Sequence, residues 1–427
     1  MKKVIYILFL FSTLLFGEKI YNVDELIVKT FKASPDLNIS RLNFQVSQKK
    51  YDQAFSGYLP KIDLNANLSH LHRDGLINTS KDIEDDMLVG SLTLQQLIYD
   101  FGGRSSNVAS FKEQMKYYDA SVAEKLLTKK RDVKLAYYNI LKNMSLIGVS
   151  KEALKLNKAQ LYRSKRYYES GIRTKIDISD AKVRVVKAEI DLKNAEFDLE
   201  KAYTRLDRVV GIVDEEYKVY NKEVDLTQNL YEKLPPYDLD IKEAVKFAYN
   251  NRPEIKKYMF DIVAQKELQK SVGARYYPQI YFDAGYEKQD AKKYSEFLDA
   301  DKWDVMLNLN WNLYTGGADK AKKEQQMIET QKSISKLNSL KLFIKEDVTN
   351  AYIALKKARE TLKLSQSLLN VSKEKFEQVS KQYKYGLSDY IELQIARQEY
   401  IDAKNALVIK YYEYFSALAI LDATVGR

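Results

Sequence analysis

The sequence predicts a mainly helical chain with a transmembrane β part, internally duplicated. Long antiparallel coiled-coil helices are joined to four strands, which sister chains must complete into a shared barrel. Three observations predict it. The prolines recur in matched positions, two very long stretches contain no proline, and each half holds a pair of segments that alternate apolar and polar residues.

The duplication comes first, because every later element appears twice. Pro35 and Pro60 recur as Pro253 and Pro278, both 218 residues on. Thr30–Leu37 answers Ala248–Ile255, and Tyr58-Leu59-Pro60 answers Tyr276-Tyr277-Pro278. Phe101-Gly102-Gly103 answers Thr315-Gly316-Gly317 at an offset of 214, while Gly171 answers Gly386 and Gly211 answers Gly426 at 215. A period this long is not that of a solenoid repeat. The remaining prolines, Pro235 and Pro236, mark the boundary, giving a signal peptide over 1–17, a first repeat over 18–234 and a second over 235–427.

The signal peptide is read from Lys2 and Lys3 ahead of an apolar run from Val4 to Phe16, with Gly17 as the last residue before cleavage. That run is shorter than the roughly 20 residues a membrane helix needs. Each repeat then opens with a short helix, over about 23–56 and about 240–274, ending before Leu59-Pro60 or Tyr277-Pro278.

Two strands follow in each repeat. Trp303, Val305, Leu307, Leu309, Trp311 and Leu313 face one way, and Asp304, Met306, Asn308, Asn310, Asn312 and Tyr314 the other. Ile280, Phe282, Ala284 and Tyr286 form the partner's apolar face; Ile62, Leu64, Ala66, Leu68 and then Leu88, Gly90, Leu92, Leu94 are their counterparts in the first repeat. Roughly ten residues suffice for a tilted strand to cross a bilayer, and both tryptophans lie on the apolar face near opposite ends of one strand, as an interfacial girdle requires.

After each Gly-Gly corner the chain reads as helix. Arg104 to about Tyr168 spans on the order of 100 Å as continuous helix, and residues 172–210 form a second. Ala181, Val185, Ala188, Leu192, Ala195, Leu199, Ala202, Leu206 and Val209 keep 4-3 spacing, and alanine at four of these nine positions lets helix axes approach closely. Ala396, Tyr400, Ala403, Leu407, Tyr414, Ala417 and Leu421 repeat the frame, with Lys410 intruding. Leu126, Val133, Ala136 and Ile140, then Ile344, Val348, Ala351 and Leu355, place it on the preceding helices.

Four strands cannot close a barrel, since open edges in lipid leave backbone groups unsatisfied. The chain must therefore oligomerise, although this argument does not fix the number of copies. The duplicated order, together with Ala33-Ser34-Pro35, Asn251-Arg252-Pro253, Leu59-Pro60, Trp311–Gly317 and Tyr383-Lys384-Tyr385-Gly386-Leu387 with Glu392-Leu393 downstream, resembles the TolC-type outer-membrane factor family. The resemblance covers the chain beyond the signal. It implies a homotrimer with a twelve-stranded barrel in outer-membrane lipid and a helical tunnel in the periplasm. It further implies a periplasmic adaptor (membrane fusion) protein and an inner-membrane RND or ABC transporter as partners. The expected role is the passive exit duct of a drug or small-molecule efflux pump, with type I protein secretion as the alternative. A periplasmic coiled-coil scaffold or adhesin stalk and an exported enzyme are further classes. Some relatives carry an acylated cysteine after the signal; this chain has no cysteine at all, so anchoring would rest on the barrel.

Composition argues against chemistry. Without cysteine there is no disulfide or thiolate metal site. The only histidines, His70 and His72, are two potential ligands and not a site. A net charge of +10 would permit nucleic-acid binding, but lysines alternate with acids along the whole chain, so no nucleic-acid partner is expected, nor any catalytic residue, cofactor or metal. The candidate functional positions are the turns between the two long helices of each repeat. In the family this tip receives an adaptor hairpin, which makes Gly171, Ile172, Arg173, Gly386, Leu387 and Ser388 candidate docking residues. Asp177, Asp180 and Glu392 stand just beyond. Facing a symmetry axis, they would gather carboxylates into rings that favour cations.

Overall fold

The computed structural model describes residues 19–73, 83–172, 174–213, 215–221, 224–226, 228–237, 239–291 and 300–427. The expected signal peptide and Arg173 lie outside them. Each repeat contributes the same series: α1 (Val23–Ala33) and α2 (Pro35–Phe55), β2 (Lys61–Arg73) and β3 (Ile83–Tyr99), α3 (Gly103–Glu169) and α4 (Lys175–Val210). Their counterparts are α5 (Ile241–Asn251), α6 (Pro253–Gly273), β5 (Gln279–Ala291), β6 (Ala300–Asn310), α7 (Ala318–Lys384) and α8 (Tyr390–Val425). The lengths match closely: α3 and α7 are 67 residues each, and α4 and α8 are 36 each. Two short strands, β1 (Lys19–Tyr21) and β4 (Tyr217–Val219), pair in parallel.

The short helix expected at the start of each repeat is in fact two. Proline disfavours helical geometry in the residue before it. Ser34 and Arg252 accordingly adopt extended backbone, with ψ of 119° and 125°. A new helix then starts on Pro35 or Pro253, where proline's missing N–H costs nothing. The long helices match their expected extents because no such residue interrupts them.

Compactness divides the chain differently from the repeats. One unit comprises residues 1–38, 126–248 and 346–427, the other 39–125 and 249–345, so each draws on both repeats. The second unit holds one antiparallel sheet in the order β2-β3-β5-β6. Its register aligns the apolar residues into rows: Leu64 opposes Leu92, Leu92 opposes Tyr286, and Tyr286 opposes Trp303. That face is bare, with Leu64 and Trp303 each 77% exposed. The neighbouring row, Asp63, Thr93, Gly285 and Asp304, faces the other way. β6 stops at Asn310, four residues short of the expected end. Trp311 therefore leaves the ladder, and its indole Nε1 donates to the Tyr276 carbonyl at 3.1 Å. In the same unit α6 is fastened to α7 by polar contacts, including Ser333 Oγ to Asp261 Oδ2 at 2.8 Å and Gln326 Nε2 to Gln265 Oε1 at 2.8 Å. At the first corner Phe101 and Gly102 take positive φ, and at the second Gly316 and Gly317 do.

The first unit is a helical packing with its core on the predicted frame. Val133, Ala136, Ile140, Ala202 and Leu206 close around Leu26 and Ile27 of α1. A second cluster joins Val149, Leu362, Leu369, Leu407 and Val408 to Leu230. Lys410, which interrupts the α8 frame, is paired with Glu413 Oε2 at 2.7 Å. Among the described residues no helix is long and apolar enough to cross a membrane.

Candidate functional site: the helix-hairpin tips

The two tips are built alike. α3 ends at Glu169, and Ile172 N donates to the Tyr167 carbonyl at 2.9 Å; α7 ends at Lys384, and Leu387 N donates to the Gln382 carbonyl at 2.9 Å. These are Schellman closures, which need a left-handed residue. Gly171 and Gly386 supply it, at φ of 74° and 77°. The side chains between the helices stand in solvent: Ile172 is 67% exposed and Leu387 79%. Apolar side chains fixed on a rigid turn and left bare can serve as contacts for a partner.

Two of the acids expected around the aperture hold the starts of their helices. Asp177 Oδ2 accepts from the Thr174 backbone N–H at 3.1 Å and from its hydroxyl at 3.3 Å, tying the start of α4. Glu392 sits at the same third position of α8, where its N–H reaches Asp389 Oδ1 at 2.7 Å and its Oε2 accepts from Ser388 Oγ at 2.7 Å. Capping of this kind fixes both carboxylates at helix N-termini, where the dipole favours negative charge. Ser388 is thus a capping partner, while Asp180, one turn beyond Asp177, is exposed.

One aromatic cluster joins the first hairpin to the second. Tyr383, Tyr390, Leu393 and Ala396 pack together with Tyr167 of α3 against them, the Tyr167 and Tyr383 rings 6.4 Å apart. A turn or two further along lie buried groups that sequence reasoning missed. Gln394 is 3% exposed and Arg397 4%, with Gln160 and Ser164 of α3 at 1% each. Burial lowers the Arg397 guanidinium to about 10, with Arg163 and Arg184 adding repulsion, while burial raises the Tyr390 phenol. The helical period could have flagged them, since Arg397 directly follows the frame residue Ala396. In a helix flanked by solvent that position reads as polar surface.

Outside the tips the chemistry is sparse. His70 lies in β2 and its Nδ1 is 2.9 Å from Asp86 Oδ1 on β3. Among the described residues no group of three metal-ligating side chains occurs.

The profile of the outer membrane efflux protein family matches residues 26–212 and 245–427. No curated protein sequence matches the chain. Solved structures do match. A crystal structure of CusC, described in terms of folding and transmembrane channel formation, superposes with a TM-score of 0.82 at 13% identity, over 95% of this chain and 92% of that one. The CmeC outer membrane channel of Campylobacter jejuni gives 0.80 at 15%, over 95% and 85%. The MtrE outer membrane channel of Neisseria gonorrhoeae, in its open state, gives 0.77 at 18%, over 95% and 88%. The paired halves of the family profile coincide with the two copies of the helix, strand-pair and hairpin series. This chain belongs to the outer membrane efflux protein family, and its place is the outer membrane, with helices extending into the periplasm.

Proposed function

We propose that three copies of this chain form one passive duct, the exit channel of a tripartite pump that expels small molecules. The carrying observation is the sheet β2-β3-β5-β6, whose apolar face is bare and whose outer strands have no further neighbour in the described chain. In lipid the bare face becomes favourable, but the open edges remain costly until another chain pairs with them. Three such sheets supply twelve strands. The chain itself contributes no chemistry; energy comes from an inner-membrane transporter, reached through a periplasmic adaptor that docks at Gly171, Ile172, Arg173, Gly386, Leu387 and Ser388. Asp180, with Asp177 and Glu392, lines the aperture, where rings of carboxylates would attract multivalent cations.

Purified protein in planar bilayers tests the duct: the expected result is conductance from a heat-modifiable trimer, and a monomer without conductance overturns it. Cobalt hexammine should block that conductance, and Asp180→Asn should weaken the block. Gly386→Trp tests docking, since unchanged adaptor crosslinking and unchanged drug resistance would remove the tips from the interface. Deletion of the gene separates the two transport roles. Sensitivity to small toxic compounds supports efflux, whereas loss of a secreted protein alone supports secretion.

A further inference from the structure

Arg397 lies on the face of α8 that meets α3 and is nearly sealed from solvent. Its Nη1 donates to Asn157 Oδ1 and its Nη2 to Gln160 Oε1, both at 3.4 Å, the outer edge of hydrogen bonding, and its Nε has no partner. Two more buried atoms in this seam are equally without partners, Gln160 Nε2 and Ser164 Oγ, and Gln394 Nε2 and Tyr390 Oη are buried with only a weak contact to each other. All five atoms can donate a hydrogen bond. Buried polar groups are nearly always satisfied, and a buried guanidinium is stable only beside a counter-charge. Yet the groups acting most strongly on Arg397 are the phenol of Tyr390 and then Arg163 and Arg184, which carry its own sign. The exposed Asp180 of α4 acts on Tyr390 through space and is the rival source of negative charge.

We propose that this seam binds one small monovalent anion of the halide class, held by Arg397 Nε with Gln160, Ser164, Tyr390 and Gln394 as neutral donors. Several buried donors around a single desolvated cation favour an ion that sheds its water readily, chloride before phosphate or sulfate. The equivalent place in the first repeat is empty of such groups: Lys182, 215 residues before Arg397, is exposed on α4. The bound anion closes the α3–α8 seam just above the tips, so it stabilises the packing of one hairpin on the other.

The test uses the purified full-length protein, unfolded thermally while sodium chloride replaces sodium gluconate at constant ionic strength. The expected result is a saturable rise in Tm of about 2 °C, by the usual linkage of ligand to the folded state, lost in Arg397→Gln. No rise, or the same rise in Arg397→Gln, overturns the site. So does a chloride response that appears only in Asp180→Asn, because Asp180 would then be the counter-ion. Should Arg397→Gln fail to fold, crystals of the unaltered protein grown in bromide decide. An anomalous peak within hydrogen-bond reach of Arg397 and Gln394 supports the site, and its absence removes it. Either outcome leaves the duct assignment untouched.

Discussion

α4 and α8 occupy the same place in their repeats, share a length of 36 residues and carry the same alanine-rich frame, yet their surroundings differ. Val186 is 53% exposed where its counterpart Ile401 is 8%, and Phe197 is 58% exposed where Tyr412 is 4%. The middle of α8 lies in the cluster with Leu362, Leu369, Leu230 and Val149, so both of its apolar faces are covered there, while Ile391 and Ile395 near the tip stay exposed. α4 has only its frame covered, leaving Val183, Val186, Ile190 and Phe197 as a second apolar stripe in solvent. Equal sequence character with unequal burial leaves this stripe of α4 open to cover from outside the chain. α7 presents a matching surface at Leu364, Leu368 and Val371, and a sister copy is the simplest partner for both.

The largest effect should come from charging that second stripe. Val186→Asp with Ile190→Asp should abolish the heat-modifiable trimer in gel and native mass measurements, while Lys187→Asp, beside them on α4, should leave it intact. A persistent trimer would mean that α4 faces solvent in the assembly and would end the comparison. Next come the paired leucines Leu407 and Leu192, which are 215 residues apart. Leu407 is fully buried, so Leu407→Ala should cost about 2–5 kcal/mol in denaturant unfolding. Leu192 is half-buried, and Leu192→Ala should cost roughly half as much in the isolated chain. Equal costs in the assembled protein, with unequal costs in dissociated chains, would show that assembly completes the burial of α4.

A smaller effect separates the ties that follow the two hairpins. In the first repeat Glu215 accepts from Lys29, from Tyr21 Oη at 2.7 Å and from Lys19 at 3.1 Å. Hydrogen bonding to Lys29 and then Tyr21 holds its carboxyl down to about 2. In the second repeat Arg427 instead lies over the Phe247 ring at 4.8 Å. A depressed carboxylate stabilises the fold above its ordinary value and loses that contribution as pH falls through the depressed one. Amide exchange, corrected for intrinsic rates, should therefore accelerate in β1 and α1 between about pH 4.5 and 2, but not in α5. Glu215→Gln should remove the difference. The smallest effect is at the tips, where Gly171→Ala and Gly386→Ala should each cost about 1 kcal/mol, because both φ values are positive. A neutral result at one tip alone would show that its turn relaxes differently from the other.

Much of this was legible before any coordinates. The proline spacing fixed the repeat, the period-2 rows placed the apolar face of the sheet, and the 4-3 frame picked out Ala181, Ala202, Leu206, Ala396 and Leu407, all buried. Such features are local, since periodicity and backbone restriction act over a few residues. The break at Pro35 is equally local, but the apolar pattern runs on through it and masks it. Trp311 shows the limit of pattern: alternation continues past Asn310, but whether a residue joins a ladder depends on a partner strand at the same level.

The sequence by itself determined the element series, its duplication, the apolar face of each strand and the glycines that turn each hairpin, because each depends on neighbours along the chain. Only the tertiary structure decided that the middle of α8 is enclosed while α4 keeps an open stripe. Likewise, only the fold placed Arg397 in a seam of poorly paired donors and tied Asp177 and Glu392 into the first turns of α4 and α8. Burial depends on what distant segments bring to the same place, and no residue's identity reports that.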